Sequence, residues 1–332
     1  MSEDHEDPQA PFADLDPDRI LEAVESLGFV CDGRVLALNS YENRVYRIGR
    51  ENDLPLVAKF YRPERWTDEA IVEEHAFSAE LLAADISVVA PMLINGKTLH
   101  HDEALRFALF PMQGGHSPEP GDKETLIHIG RALGRLHSVG ASKDFLHREK
   151  LSIESKAEEP VHYLLEAHWL PNELEDNFIS LCNQLIDQIE ITWQRAGRFD
   201  TLRLHGDCHP GNLLWRNDSV HFVDLDDALT GPAMQDLWML LNGSRETRAQ
   251  QLGWLLEGYE VFWKFNRAEL HLIEALRAMR IIHYHAWIAR RWHDPAFPAA
   301  FPWFESSRHW EGVITQLQEQ LSVMQEPVII LL

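Results

Sequence analysis

Between about residue 110 and Asp122 the sequence changes its hydrophobic period, and this change limits the possible folds more than any single motif. Before it, apolar residues come in short runs. Val35 to Leu38, Val45 to Ile48, Leu56 to Phe60, Val88 to Ile94 and Arg106 to Phe110 read as strands parted by turn residues such as Asn95-Gly96. Two helices are expected among them. One starts at Asp16-Pro17, carries Ile20, Leu21, Val24 and Leu27 at helical spacing, and stops at Gly28. The other runs from about Thr67 to Ala84, with Ile71, Phe77, Leu81 and Leu82 on its apolar face and acidic residues opposite. After the change the period is helical, beginning with Leu126, Ile129, Leu133 and Leu136. Further helices are expected near Glu173 to Ala196, Met234 to Asn242, Arg248 to Phe265, Arg267 to Trp292 and Ser307 to Met324. Two short strands, Leu213 to Arg216 and His221 to Val223, interrupt the series, and Ala141 to Pro160 reads as a loop. The pattern predicts an α+β chain in two lobes, residues 1–112 and 113–332, with a cleft between them. Residues 1 to about 16 are expected to form a mobile tail, and the closing Val328 to Leu332 to pack on the body.

The charge balance narrows the partners. With 53 acidic against 30 basic side chains the formal net charge is −23, which argues against DNA or RNA, because a phosphate backbone needs a positive face. A nucleotide needs only a small local cluster of donors and cations. Cys31, Cys182 and Cys208 lie far apart with no CxxC spacing, which fits a reducing compartment. The acidic start Met1-Ser2-Glu3-Asp4 is unlike a secretory signal, and no apolar run reaches about 18 residues, so a cytoplasmic chain without a membrane span is expected.

The most informative segment is His205-Gly206-Asp207-Cys208-His209-Pro210-Gly211-Asn212, followed by Phe222-Val223-Asp224-Leu225-Asp226. Phosphoryl transfer asks for a positioned nucleophile and for cations that screen the phosphate oxygens. Asp207 is the candidate to orient an acceptor hydroxyl and take its proton; Asn212 and Asp224 suit Mg²⁺. Alone, this segment could equally be a turn in which Asp and Asn satisfy backbone groups. Upstream features favour the chemical reading. Lys59, in Val57-Ala58-Lys59-Phe60, ends a strand where a phosphate-binding lysine would sit, and Glu74 on the next helix could pair with it. Glu73, or a merely solvated acidic face, is the alternative. The turn Asn39 to Tyr46 could aim backbone amides and the Ser40 hydroxyl at phosphates, and Ser40 and Asn43 are assigned to the nucleotide. Met112, in the segment Phe110-Pro111-Met112-Gln113 that joins the lobes, is expected to meet the adenine through its backbone.

In that order these elements resemble the aminoglycoside phosphotransferase and choline kinase-like group, which has a protein-kinase-like two-lobed fold. The resemblance rests on Ser40 to Tyr46, on Gly134-Arg135-Leu136-His137 and on the block from His205 to Ala228, and it extends from about residue 15 to 315. It implies an ATP- and Mg²⁺-dependent serine/threonine protein kinase that works as a monomer, with Ser40 at ATP, Asp207 as the acid/base, and Asn212 and Asp224 on Mg²⁺. A small-molecule hydroxyl kinase is the alternative, since one sequence does not show the shape of the acceptor pocket. A nucleotide-binding scaffold without activity is a further rival, opposed by the presence of lysine, base and metal ligands together. Gly206 stands where many protein kinases have an arginine that reads a phosphorylated loop, so that mode of activation is not expected.

Other residues are held back. His205 is expected to support the catalytic loop by hydrogen bonding, and Asp236 to bond that loop's backbone amides. His209 is open between loop support and acceptor contact, and Asp226 between a metal-site role and a turn cap. His100-His101 and His283-Tyr284-His285 lack chelating spacing.

Overall fold

A computed structural model of the chain describes residues 11–119 and 121–331. Most of the expected tail lies outside those residues. Positions 11–16, however, are folded. Phe12 and Leu15 pack against the sheet, the Arg44 guanidinium sits 4.8 Å over the Phe12 ring, and Asp16 caps the first helix. Two apolar side chains give this segment something to bury, so the expectation of mobility is corrected there.

Helix α1 (Pro17–Glu25) precedes a five-stranded sheet of β1 (Cys31–Ala37), β2 (Arg44–Arg50), β3 (Asp53–Phe60), β4 (His100–Asp102) and β5 (Leu105–Pro111). The strands are antiparallel in the order β1-β2-β3-β5-β4, and α2 (Asp68–Ala83) lies between β3 and β4 in sequence. Thr67 starts α2 by accepting a hydrogen bond from Ala70 N–H at 3.2 Å. Alternation along β3 sets up the site. Leu56, Ala58 and Phe60 are buried with Ile20 and Val24 of α1, so Lys59 points to the opposite face, where Ile71 of α2 packs on Ala108. Ile71, Phe77 and Leu81 are buried as expected, but Leu82 is 53% exposed. Residues 88–94 are not a strand. Val88 makes one bridge to Phe222 and Ile94 one to Lys97, and Pro91 has no N–H to continue a ladder.

The second lobe is mainly helical, with α3 (Lys123–Gly140), α4 (Glu159–Glu166), α5 (Asn172–Ala196), α6 (Met234–Trp238), α7 (Arg245–Tyr259), α8 (Ile273–Arg290), α9 (Ala296–Ala300) and α10 (Ser307–Met324). Part of the expected loop at 141–160 is helical, because a π-helical turn at Glu154–Glu158 leads into α4. Two small ribbons carry the functional loops: β6 (Leu202–Leu204) with β9 (Leu229–Gly231), and β7 (Leu213–Arg216) with β8 (Ser219–Phe222). Helices α3 and α7 touch backbone to backbone. A Cβ on Gly130 would lie 2.0 Å from Leu255 O, and one on Gly134 2.4 Å from Tyr259 O. Ile329 near the C-terminus is buried in the core of this lobe.

Candidate active site

The loop between β6 and β7 carries Asp207 and Asn212, and the loop between β8 and β9 carries Asp224 and Asp226. The ribbons hold the two loops side by side. Gly206 has φ +87°, and a Cβ there would fall 2.0 Å from Asp227 O, so this position takes glycine for its conformation and for the close approach. Beneath the loop, the fully buried Asp236 accepts hydrogen bonds from His205 N–H and Gly206 N–H, each at 2.8 Å. His137 Nε2 lies 3.1 Å from the same carboxylate, and its Nδ1 2.6 Å from the Tyr259 hydroxyl. A carboxylate only accepts, so His137 donates through Nε2 and accepts from Tyr259. The backbone-holding role expected of Asp236 is what the geometry has. His205 supports the loop as expected, with Nε2 2.9 Å from Val223 O. His209 supports the loop: its Nδ1 accepts from Gly211 N–H at 3.0 Å, and its Nε2 lies 3.4 Å from Asp207.

Asp207 lines a cleft of about 560 Å³. Burial would raise its carboxyl pKa, but His209 and the Arg280 guanidinium together outweigh this and hold it well below the usual carboxylate range. Arg280, from α8, donates to Asp207 Oδ1 at 2.6 Å. Asn212 donates through Nδ2 to Asp207 O at 3.0 Å, which leaves its Oδ1 as the amide's accepting end. Asp224 sits in the left-handed region, φ 58° and ψ 66°, with its side chain 52% exposed. Among the described residues no three His, Cys, Asp or Glu side chains form a cage for a metal. One carboxylate and one amide oxygen beside an open cleft instead fit Mg²⁺, which takes few protein ligands and completes its shell with phosphate oxygens and water.

Lys59 is 7% exposed, with Nζ 2.8 Å from Asp224 Oδ1 and 3.1 Å from Asp226 Oδ1. Burial alone would lower its pKa, yet Asp224 and Asp226 outweigh that and set it well above the ordinary lysine value. The expected Lys59–Glu74 ion pair is not formed. Glu74 is buried and accepts from Ser78 Oγ at 3.0 Å, and burial lifts its pKa to about 7 despite the nearby charge of Lys59. The two aspartates beyond β8 reach the ammonium directly, and Glu74 acts on it only through space. Glu73, the alternative, is taken up by the N–H groups of Leu146, His147 and Arg148 at 2.6, 2.8 and 3.0 Å.

The turn at 39–43 is anchored rather than free. Ser40 lines the cleft and donates to Asn43 O at 3.1 Å. Asn43, assigned to the nucleotide, is 3% exposed and spans two internal partners: Nδ2 donates to Asp226 Oδ2 at 3.1 Å, and Oδ1 accepts from Arg62 N–H at 3.0 Å. Each end of its amide is thus engaged by a protein partner, which makes Asn43 a brace between the turn, Arg62 and Asp226. Asp226 is the hub here, bonded to Lys59, Asn43 and Arg65, while Arg148 donates to its carbonyl. These contacts go beyond a turn cap and set Asp226 beside Asp224 on the same Lys59 ammonium, next to the candidate metal ligands. Met112 follows directly on β5, 39% exposed, in the connection between sheet and helices. Arg65, Arg148 and Arg280 were not found from sequence, since nothing in their local spacing says which distant loop they meet.

A small antiparallel sheet with a buried lysine, set over a helical lobe that carries Asp207, Asn212 and Asp224, defines a kinase-like phosphotransferase. Residues 34–273 match the profile of the Phosphotransferase enzyme family, and the chain belongs to that family. Over 316 residues, 95% of each chain, it is 44% identical to Stress response kinase A of Escherichia coli (strain K12). It is 42% identical, with the same coverage, to the serine/threonine protein kinase RdoA of Salmonella typhimurium. Among solved structures, amicoumacin kinase hAmiN in complex with AMP-PNP, Ca²⁺ and Ami has a TM-score of 0.74 at 17% identity, covering 93% of this chain and 94% of that one. The last likeness speaks for the fold.

Proposed function

We propose that this chain transfers the γ-phosphoryl group of Mg-ATP to a serine or threonine hydroxyl of a protein, in the cytoplasm and as part of a stress response. The observation that carries the reading is the Asp207 carboxylate lining an open cleft, with Asn212 bonded to its backbone and Asp224 paired with Lys59 beside it. The names borne by the 44% and 42% identical relatives support a protein acceptor and a link to stress. On this reading residues 1–112 hold the nucleotide, with Ser40 and Met112 beside it, and residues 113–332 present the acceptor.

The acceptor oxygen attacks the γ-phosphorus as the bond from that phosphorus to the β–γ bridging oxygen breaks. The hydroxyl proton passes to Asp207, and ADP leaves with the electron pair of the broken bond. Asn212 and Asp224 would hold Mg²⁺, which supplies positive charge to the phosphate oxygens as negative charge shifts toward the leaving group. Lys59 adds a fixed cation on the sheet side. Arg280 competes with the acceptor hydroxyl for Asp207, since it holds Oδ1 at 2.6 Å, and its release leaves both carboxylate oxygens to the acceptor.

A second reading, a small-molecule hydroxyl kinase, draws support from the stacked pair Tyr284 and Trp287, 5.8 Å apart at 21°, on the cleft wall, a surface on which a flat ligand could lie. Incubation with γ-labelled ATP, Mg²⁺ and a generic protein acceptor, beside Asp207→Ala, separates the two. Label on seryl or threonyl groups in the wild type alone supports the proposal. ATP turnover that rises only with a small hydroxyl compound would replace it.

A further inference from the structure

The cleft wall opposite the metal-type ligands is the exposed side of α8, and its charge is at odds with that of the whole chain. In a chain of net charge −23, the α8 residues and their immediate successor that line the cleft include Arg280, Arg290 and Arg291 and no acid. Apart from Asp207, the acids that line the cleft are already matched: Asp224 pairs with Lys59 and Asp227 with Arg65, and both glutamates have basic partners. Glu42 pairs with Arg291 at 2.5 Å and with Arg62 at 3.0 Å, and Glu149 pairs with Lys156 at 2.9 Å. Two guanidinium groups remain. Arg290 has no carboxylate within ion-pair distance among the described residues and lies 5.0 Å over the Tyr163 ring. Arg280 has only Asp207, a partner that the transfer step needs for itself.

We propose that this wall selects an acidic protein segment, a serine or threonine hydroxyl flanked by carboxylates; the inference rests on the protein-kinase reading above. One carboxylate next to the hydroxyl takes Arg280, which frees Asp207 to accept the hydroxyl proton. Arg290 lies ten residues further along the chain, a rise of about 15 Å on a helix. An extended peptide covers that distance in about four to five residues, which sets the spacing of the second carboxylate. A cationic acceptor, by contrast, would place its charge against two guanidiniums. The bulk charge of the chain predicts the opposite preference, for basic peptides, so the two expectations are cleanly opposed.

The test is binding, read independently of catalysis. Fluorescein-labelled peptides of equal length, each with one central serine and acidic, neutral or basic flanks, are titrated with the full chain in Mg²⁺ and a non-hydrolysable ATP analogue, and anisotropy is followed. The acidic peptide is expected to bind about tenfold or more tightly than the basic one, and Arg290→Glu or Arg280→Gln to shrink that ratio to about threefold or less. Both side chains are exposed, so these variants keep the fold. Equal binding, a preference for the basic peptide, or an unchanged ratio in both variants overturns the proposal. So does a small anionic hydroxy compound that occupies the site while none of the peptides binds. Phosphate transfer measured on the same peptides judges the other reading by itself: an acidic peptide that binds tightly and takes no label upholds the charge of the wall and counts against a protein hydroxyl as the acceptor.

Discussion

The two loops that meet at the cleft are held in opposite ways. The catalytic loop, residues 205–212, rests on Asp236, a carboxylate removed from water that takes two backbone N–H groups and a histidine ring within 3.1 Å. The turn at 39–43 is held across the lobes by charge. Glu42 meets Arg62, Arg291 and Trp287, and Asp294 on the helical side meets Arg44 and Arg62 at 2.8 and 2.6 Å. A hydrogen bond loses its strength over a few tenths of an ångström or a modest tilt, whereas a charge pair falls off only as the inverse of distance. On the proposed reading, the loop that carries Asp207 is therefore held by short hydrogen bonds before any ligand arrives, while the turn at 39–43 is held by contacts that tolerate a change in distance.

Removing the proposed base gives the largest expected effect. Asp207→Ala is expected to cut the turnover rate by about 10³-fold with an unchanged circular dichroism spectrum and melting temperature. A mere tenfold loss would mean that rigid placement of this carboxylate is not what the loop is for. Next, Asp236→Ala strips three donors of their acceptor in a dry interior and is expected to cost about 3–5 kcal/mol in urea unfolding. Asp294→Ala tests the other side. Its arginines keep other contacts and some water, so a stability loss of about 1–3 kcal/mol is expected, together with a raised KM for ATP and a nearly unchanged kcat. Equal costs for the Asp236 and Asp294 variants would erase the contrast.

The smallest and most specific effect concerns pH. The folded protein holds the Glu74 proton up to a pKa of about 7, above the unfolded value of about 4.5, so the native state binds more protons in that window and stability falls as pH rises through it. Glu74→Gln removes the titration. Its stability relative to wild type should be flat below about pH 4.5 and increase by about 1–3 kcal/mol by pH 8. A constant difference across the range would show that Glu74 ionises as freely as a surface acid.

Much of this was legible beforehand for a simple reason. The candidate site residues Asp207, Asn212 and Asp224 sit within eighteen residues of one another, and their order is set by short loops that local spacing can express. Helices α3, α5 and α10 announced themselves through long apolar faces. Three-residue strands such as β4, β6 and β9 carry too few alternations to be seen, and 88–94 has a strand's composition but a proline and no ladder partner. Long-range pairing was the main blind spot. Asn43 with Asp226, Arg44 with Asp294 and Arg280 with Asp207 join positions 183, 250 and 73 residues apart, and no residue's neighbours in sequence name such a partner. For Lys59 the local expectation of a helix glutamate lost to two aspartates more than 160 positions away.

The glycine contact between α3 and α7 has a practical side for anyone diversifying this scaffold. Gly130, Gly134 and Gly258 each face the other helix's main chain, which has no rotamer to yield. A library that randomises Arg280 and Arg290, both exposed, leaves this contact untouched. One that touches these three positions is expected to yield clones whose two helices are wedged apart by a single methyl group, at the main chain of Tyr259, whose hydroxyl bonds His137.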